Sequence, residues 1–431
     1  MQYIPIFYFH YERLLYVVGD ITIAIHHVLY LLIVIFAGGM IAGKVASKLK
    51  IPDVAVFLLL GIGIGPGLHL ISEESRSFIN QFILILGATL ILFDGGRNIR
   101  LQSLKKVWPT ISLLSVPGVI ITALVTGYGA HVFLHIPLLY GFLLASIIAS
   151  TDPATLIPVF KQVKIRPILR ETVESESAFN DATGSILTFS VLAVVMGTSD
   201  FSIGASTLDF FKVALGGMFI GALIGFVGAY LVSHVVFGFL RDYTVIGMLV
   251  VALFSYLLGD LLHVSGFMAT FVAGIIWGNS SCFRLHMEAK QREIHHFSEN
   301  MTVIMRMLIF ILLGSQVNFS TIMKHLWGGL LVVFVLMFVA RPLTVFACTL
   351  PDRKAKWTWG EMLFMCWTRE TGVIPAALSG IIVGMGVQYA DAIAAVTFLA
   401  ILITILLQAS VTPYVARKLG VEELRKKQGT T

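Results

Sequence analysis

The chain has 431 residues, a formal net charge of +6, and a composition that is 57% hydrophobic and only 13% charged. Soluble domains carry about 25% charged residues, and the mean hydropathy here is +0.90. Apolar runs recur along the whole chain, and at about 20 residues each is long enough to cross the hydrocarbon core of a membrane. These features exclude a soluble enzyme, a secreted module and a nucleic-acid-binding protein. They predict an all-α polytopic membrane protein.

Short motifs give no sign of a bound cofactor or a disulfide framework. Cys282, Cys348 and Cys366 form neither a CxxC motif nor the spacing of a metal site, and the histidines form no HExxH motif. The net positive charge is ordinary for a membrane protein, because lysine and arginine collect in cytoplasmic loops. We therefore expect no cofactor and no nucleic-acid partner.

The apolar segments predict thirteen membrane spans joined by short loops. The spans cover residues 24–46, 53–71, 78–95, 107–130, 137–160, 167–197, 208–236, 243–261, 264–280, 298–317, 326–350, 358–387 and 391–416. Lysine and arginine cluster in alternate loops, and the loops on the other side hold only Arg76, Lys212 and Lys324. By the positive-inside rule, the segment before residue 24 lies outside and the C-terminus is cytoplasmic.

Thirteen spans also fit two inverted halves, spans 1–6 and spans 8–13, with span 7 between them. Corresponding spans carry helix breakers: Pro153 in span 5, and Gly372 with Pro375 in span 12. A proline removes a backbone hydrogen bond, and paired interruptions of this kind indicate a transport site near the middle of the membrane. The alternative is a pair of ordinary proline kinks.

Span 6 contains acidic residues at a depth where one charge costs on the order of 2.5–3.5 kcal/mol. At about 1.5 Å per residue, Asp181 lies about 20 Å from the inner end of span 6, and Asp152 lies about 22 Å from the outer end of span 5. Ser177 shares a helix face with Asp181. With the free carbonyls of a broken helix, these groups form an oxygen cage suited to a small cation, with too few charges for Ca²⁺. The alternative for Asp181 is a permanent structural pair.

Three arginines lie within apolar stretches: Arg306 in span 10, Arg341 in span 11 and Arg369 in span 12. A buried cation needs a partner, so these residues are predicted to pair with acids or to compensate the ends of broken helices. Asp94, at the inner end of span 3, fits an ordinary helix-end residue as well as a functional one.

Together these residues resemble the monovalent cation:proton antiporters of the NhaP type. The resemblance is carried by TDPATLIPVF at residues 151–160, ESAFND at 176–181, Arg306 in RMLIFILLG, ARPL at 340–343 and GVIPAAL at 372–378. The first two motifs are the most specific, and the matches cover most of the chain in the expected order.

The resemblance implies that Asp181 binds a cation and a proton alternately, with Ser177 and the Thr151 main chain as further cation contacts. Asn180 matches the residue that marks an electroneutral subgroup, and Asp94 matches an acid contributed by the other domain. The expected set of cation- and proton-binding residues is Asp181, Ser177, Thr151, Asp152, Asn180 and Asp94. Of these, Asp181, Ser177, Thr151 and Asp94 would contact the monovalent cation itself.

Glu176 resembles the buried glutamate that the family pairs with an arginine. Relatives often have arginine directly before GVVP, whereas here that position is Thr371 and Arg369 lies two residues earlier. We therefore take Arg341 as the partner of Glu176, and Arg369 and Arg306 as further members of the core and helix-end group.

The implied protein is a single integral membrane domain, a homodimer in the plasma membrane, with two working parts. The dimerisation scaffold covers residues about 24–95 and 208–317, and the ion-transport core covers about 107–197 and 326–416. It would exchange Na⁺, Li⁺ or K⁺ for H⁺ and would not be an enzyme.

Other functions predict different features. A sodium-coupled symporter of organic anions on the same scaffold would need a polar substrate cavity, and the carboxylates of span 6 disfavour an anionic substrate. A cation channel would show a filter sequence such as TVGYG, and an intramembrane enzyme would show a nucleophile–base or metal motif. The sequence contains none of these motifs.

Overall fold

The computed structural model describes residues 5–49, 51–68, 70, 77–151, 165–197, 203–233, 240–283, 285 and 291–422. Within these ranges the regular structure is helical, apart from an isolated β-bridge between Ile165 and Glu422. The all-α prediction is therefore confirmed for the described part of the chain.

The helices are numbered in chain order. The first nine are α1 Pro5–Leu49, α2 Asp53–Ile62, α3 Phe78–Asn98, α4 Leu101–Ser115, α5 Pro117–Leu134, α6 Leu138–Ile148, α7 Pro167–Val195, α8 Ile203–Ser233 and α9 Thr244–Leu261. The others are α10 Gly266–Gly278, α11 Gln291–Ser315, α12 Phe319–Val335, α13 Arg341–Thr349, α14 Trp359–Trp367, α15 Val373–Gly384, α16 Ala390–Ile403 and α17 Ser410–Lys418. Turns of π-helix lie at Gly63–Gly67, Leu336–Ala340 and Thr404–Ala409.

Among the described residues, nine helical segments are long and apolar enough to cross a membrane. Four shorter apolar segments accompany them, at Asp53–Gly67, Leu138–Ile148, Gly266–Gly278 and Val373–Gly384. The first helix begins at Pro5, well before the predicted start of span 1 at residue 24. Many apolar side chains on these helices remain exposed, as expected for a chain whose outer surface faces lipid.

The predicted span 12 is broken near its middle. Helix α14 ends at Trp367, residues 368–372 are not helical, and α15 begins at Val373. Pro375 is the third residue of α15, a position whose N–H would have no partner within the helix. The proline therefore starts the second half-helix, and the break lies on its N-terminal side.

Helices α3 and α10 cross with their backbones in contact. A Cβ atom placed on Gly274 would lie 2.2 Å from the carbonyl oxygen of Phe93, and one on Gly96 would lie 2.1 Å from that of Phe271. Only glycine fits at such distances. The crossing fixes the end of α3 that carries Asp94.

We expect Gly274→Ala to lower the unfolding temperature of the detergent-purified protein. The added methyl group forces the two backbones apart, and overpacking of this kind costs about 1–3 kcal/mol. Gly63→Ala is the matched control, because a Cβ at Gly63 meets no atom within 4 Å. Equal unfolding temperatures for the two variants would contradict the close crossing.

Candidate functional site

Helix α7 carries the acidic residues of the site. Its first residue is Pro167, whose fixed backbone angle favours the start of a helix. Glu176 is 2% exposed and Asp181 is 7% exposed. Two carboxylates at this burial need specific surroundings, because removing a charge from water is strongly unfavourable.

Thr151 lies just beyond the end of α6 and is tied to α7 by four hydrogen bonds. Its main-chain N–H donates to Asn180 Oδ1 at 3.1 Å, and its hydroxyl donates to Ser177 Oγ at 2.9 Å. In return, Ser177 Oγ donates to the Thr151 carbonyl at 2.7 Å, and Asn180 Nδ2 donates to the Thr151 hydroxyl at 2.9 Å. The structure thus brings Thr151, Ser177 and Asn180 together. Asn180 directly precedes Asp181 in the sequence, and Ser177 lies one helical turn before it.

This cluster explains what a neutral residue does at position 180. Asn180 both accepts from and donates to Thr151, whereas an ionised aspartate could only accept. The amide therefore fixes Thr151 against α7 without adding a second titratable charge. Asp152 and Pro153, the other predicted features of this segment, lie outside the described residues.

The structure places Arg341 against Glu176 in a bidentate ion pair. Nη1 of Arg341 donates to one carboxylate oxygen and Nη2 donates to the other at 3.0 Å. The same guanidinium donates to the carbonyls of Met365 at 2.9 Å and Thr368 at 3.1 Å. Arg341 therefore neutralises a buried acid and also satisfies the C-terminal end of α14.

Arg369 is fully buried inside the break of span 12. Its Nη2 donates to the carbonyls of Ile148 at 3.0 Å and Ala149 at 2.8 Å. The last carbonyls of a helix carry a partial negative charge that attracts a cation. Arg369 thus joins the break in span 12 to the end of α6, two residues before Thr151.

Arg306 lies away from Glu176 and has an acidic partner of its own. It pairs with Asp53 at 3.3 Å, at the first turn of α2. The reason is helix arrangement: α11 packs along α2, so the acid that reaches Arg306 belongs to that helix and not to α7.

Asp94 is engaged by side chains of its own helix and of α11. Arg97 donates to Oδ1 of Asp94 at 3.0 Å and 2.7 Å, and Ser298 also donates to this oxygen. Asn98 and Thr302 both donate to Oδ2 at 3.2 Å. This end of α3 nevertheless adjoins α7, since a Cβ on the next residue, Gly95, would lie 3.9 Å from Cβ of Ala178. A direct contact between Asp94 and the cation stays a prediction.

Three buried residues near the break are absent from the predicted site: Glu370, Thr404 and Gln408. Glu370 is an acid within an apolar span, next to Arg369. A charged residue in an apolar span is the same signal that identified Asp181 as a candidate. Thr404 and Gln408 are polar residues four apart in span 13, a spacing that puts them on one helix face.

Comparison with known proteins gives consistent matches over nearly the whole chain. The family described as "sodium/hydrogen exchanger, transmembrane" matches residues 31–418. Na(+)/H(+) antiporter 1 of Methanocaldococcus jannaschii is 32% identical over 417 residues, covering 90% of this chain and 95% of that protein. K(+)/H(+) antiporter NhaP2 of Shewanella sp. (strain ANA-3) is 27% identical over 393 residues, covering 90% and 66%. The solved structure of the sodium proton antiporter MjNhaP1 from M. jannaschii at pH 8 superposes with a TM-score of 0.81 at 30% identity, covering 93% of this chain and all of that one.

We expect Glu176→Ala to lower the unfolding temperature strongly, because it leaves Arg341 as an uncompensated buried charge, a loss of about 3–5 kcal/mol. Removing both Glu176 and Arg341 should recover part of this loss. The recovery is partial because the Met365 and Thr368 carbonyls lose their donor. The measurement is thermal unfolding of the single and double variants in detergent.

Two controls accompany this double-mutant cycle. Glu174→Ala, on the same helix, removes a half-exposed pair with Arg170 and should cost little. Asp181→Ala should change stability little or raise it. If the losses from Glu176→Ala and Arg341→Ala simply add, the two residues are not energetically paired.

Proposed function

We propose that this chain, which belongs to the sodium/hydrogen exchanger family, is a secondary active antiporter that exchanges a monovalent cation for a proton. It is a multi-pass membrane protein and a transporter, not an enzyme. The transported cation is Na⁺, with Li⁺ and K⁺ as further candidates, since the similar proteins include antiporters named for Na⁺ and for K⁺. The observation that carries the proposal is a buried carboxylate, Asp181, on the same helix as Ser177 and Asn180, which bond the Thr151 backbone just beyond the end of α6.

The exchange needs only competition at one site. Asp181 holds either the proton or the cation, with Ser177 Oγ and the Thr151 carbonyl as neutral oxygen ligands of the cation. A bare carboxylate is too costly to move across the apolar barrier, whereas a protonated or cation-bound one is neutral. Because Asn180 adds no charge and Glu176 is neutralised by Arg341, one proton exchanges for one cation and no net charge moves.

The architecture that serves this exchange is an inverted repeat of thirteen spans. The nine long and four shorter apolar segments of the described chain support that number. We assign the transport core to residues about 107–197 and 326–416, and the dimerisation scaffold to about 24–95 and 208–317. The homodimer lies in the plasma membrane with residues before 24 outside and the C-terminus in the cytoplasm, as the distribution of lysine and arginine supports. Alternating access follows from motion of the core against the scaffold.

We expect Asp181→Asn to abolish exchange while the protein stays folded, because asparagine can neither release a proton nor neutralise a cation. The measurement uses proteoliposomes with a trapped pH dye, to which Na⁺, Li⁺ or K⁺ is added. Asp260→Asn, which changes an exposed acid, is the control and should leave exchange intact. Transport by Asp181→Asn above the level of empty vesicles would contradict the assignment of the carrier.

We further expect exchange by the unaltered protein to be independent of membrane potential, since the loaded site is neutral in both directions. The measurement compares Na⁺- or Li⁺-driven pH changes with and without a potential set by valinomycin and K⁺. A clear change of rate with potential would show that a second carboxylate, such as Asp94 or Asp152, carries charge during the cycle.

A further inference from the structure

A polar stripe on the last span faces the break in span 12. Helix α16 passes into the π turn Thr404–Ala409 and then into α17. Thr404, Gln408 and Thr412 follow one another at intervals of four residues, and all three are buried. Turns of π-helix are rare, and many occur at functional sites.

The stripe bonds both sides of the break. On the α15 side, Thr404 Oγ1 accepts a hydrogen bond from the main-chain N–H of Thr371 at 3.0 Å. On the α14 side, Gln408 Nε2 donates to the carbonyl of Trp367 at 2.8 Å. The indole of Trp367 also donates to Thr412 Oγ1 at 3.1 Å.

These bonds add to those that Arg341 makes with the broken backbone. Arg341 donates to the carbonyls of Met365 and Thr368. In the stripe, Gln408 donates to the Trp367 carbonyl and Thr404 accepts from the Thr371 N–H. Within the hydrocarbon core of a membrane no water is present to bond such backbone groups, so protein partners must satisfy them. The segment 367–371 is thereby held from two neighbouring helices.

The held segment carries Arg369, whose guanidinium reaches the carbonyls of Ile148 and Ala149. The backbone continues within two residues to Thr151, which Ser177 and Asn180 bond. A shift of segment 367–371 is therefore passed through Arg369 to the backbone of Thr151, which is bonded to the part of α7 that carries Asp181.

We propose that Thr404 and Gln408 are positioning residues that set the affinity of the site for its cation. They hold segment 367–371 so that Arg369 keeps the Thr151 carbonyl at the distance a small cation needs. This inference rests on the exchange function proposed above. Neither residue touches the cation, and neither changes the proton affinity of Asp181 directly.

The proposal predicts a specific kinetic signature. Since cation and proton compete, a weaker cation site raises the half-saturating cation concentration and moves the acidic limb of the pH–rate profile toward higher pH. Under simple competition, a tenfold loss of cation affinity lets a tenfold lower proton concentration displace the cation. The acidic limb therefore moves by about one pH unit, since equal ratios of affinity correspond to equal free energies. A residue with only a structural role lowers the number of working molecules, and so the maximal rate, without either shift.

The experiment reconstitutes Thr404→Val and Gln408→Met in proteoliposomes and measures Na⁺/H⁺ exchange against Na⁺ concentration at several pH values. Each variant loses its hydrogen bond to segment 367–371 at nearly constant volume, and Thr404→Val also loses the bond that its hydroxyl donates to the Ala400 carbonyl at 2.7 Å. The half-saturating Na⁺ concentration should rise about three- to tenfold. Thr404→Ser keeps the hydroxyl and should restore the unaltered values.

Thr397→Val is the matched control: the same substitution in the same span, at a buried hydroxyl with no hydrogen-bond partner among the described residues. It should leave the half-saturating concentration unchanged. Lower maximal rates for Thr404→Val and Gln408→Met, with unchanged half-saturation and pH profile, would overturn the proposal. If only one variant reconstitutes, that variant decides by the same criterion. Failure of the unaltered protein to exchange would instead overturn the proposed function.

Discussion

Backbone groups freed by a broken helix must find partners inside the protein, because hydrocarbon offers none. That constraint accounts for most of the buried polar residues around the break in span 12. Arg341 and Gln408 donate hydrogen bonds to carbonyls at the C-terminal end of α14, and the hydroxyl of Thr404 accepts one from the N–H of Thr371. Arg369 donates hydrogen bonds to the carbonyls at the end of α6. A guanidinium thus joins the break in span 12 to the end of α6, close to Thr151, which Ser177 and Asn180 of α7 bond.

The charges of the core follow a second rule, that buried charges are compensated. Glu176 and Arg341 neutralise one another. Glu370 lies close enough to both Arg341 and Arg369 to interact with each electrostatically, so the core arginines have acidic counterparts on α7 and in the break of span 12. With these charges balanced, the proposed one-for-one exchange needs a proton or a cation to change the charge of Asp181 alone.

Hydropathy and proline patterns were enough to predict an all-helical membrane protein and the break in span 12, because both depend on local sequence. Contacts between distant helices were harder to predict. The partner of Glu176 was predicted from the family motif, but Arg306 proved to pair with Asp53, because no sequence pattern says which helix faces α11. The hydrogen bonds of Asp94 to Ser298 and Thr302 are of the same kind. Thr404 went unpredicted because its partner, the N–H of Thr371, is far away in the chain, whereas Glu370 carried the same local signal as Asp181 and was overlooked.

The central claim is that one carboxylate, Asp181, gives up a proton when it takes a cation. The most direct test measures proton release when Na⁺ is added to the purified protein in weakly buffered detergent solution. The account predicts release that approaches one proton per bound Na⁺ as the pH is lowered, and none from Asp181→Asn. Release that persists in Asp181→Asn, or that clearly exceeds one proton per cation, would contradict a single carrier at this site.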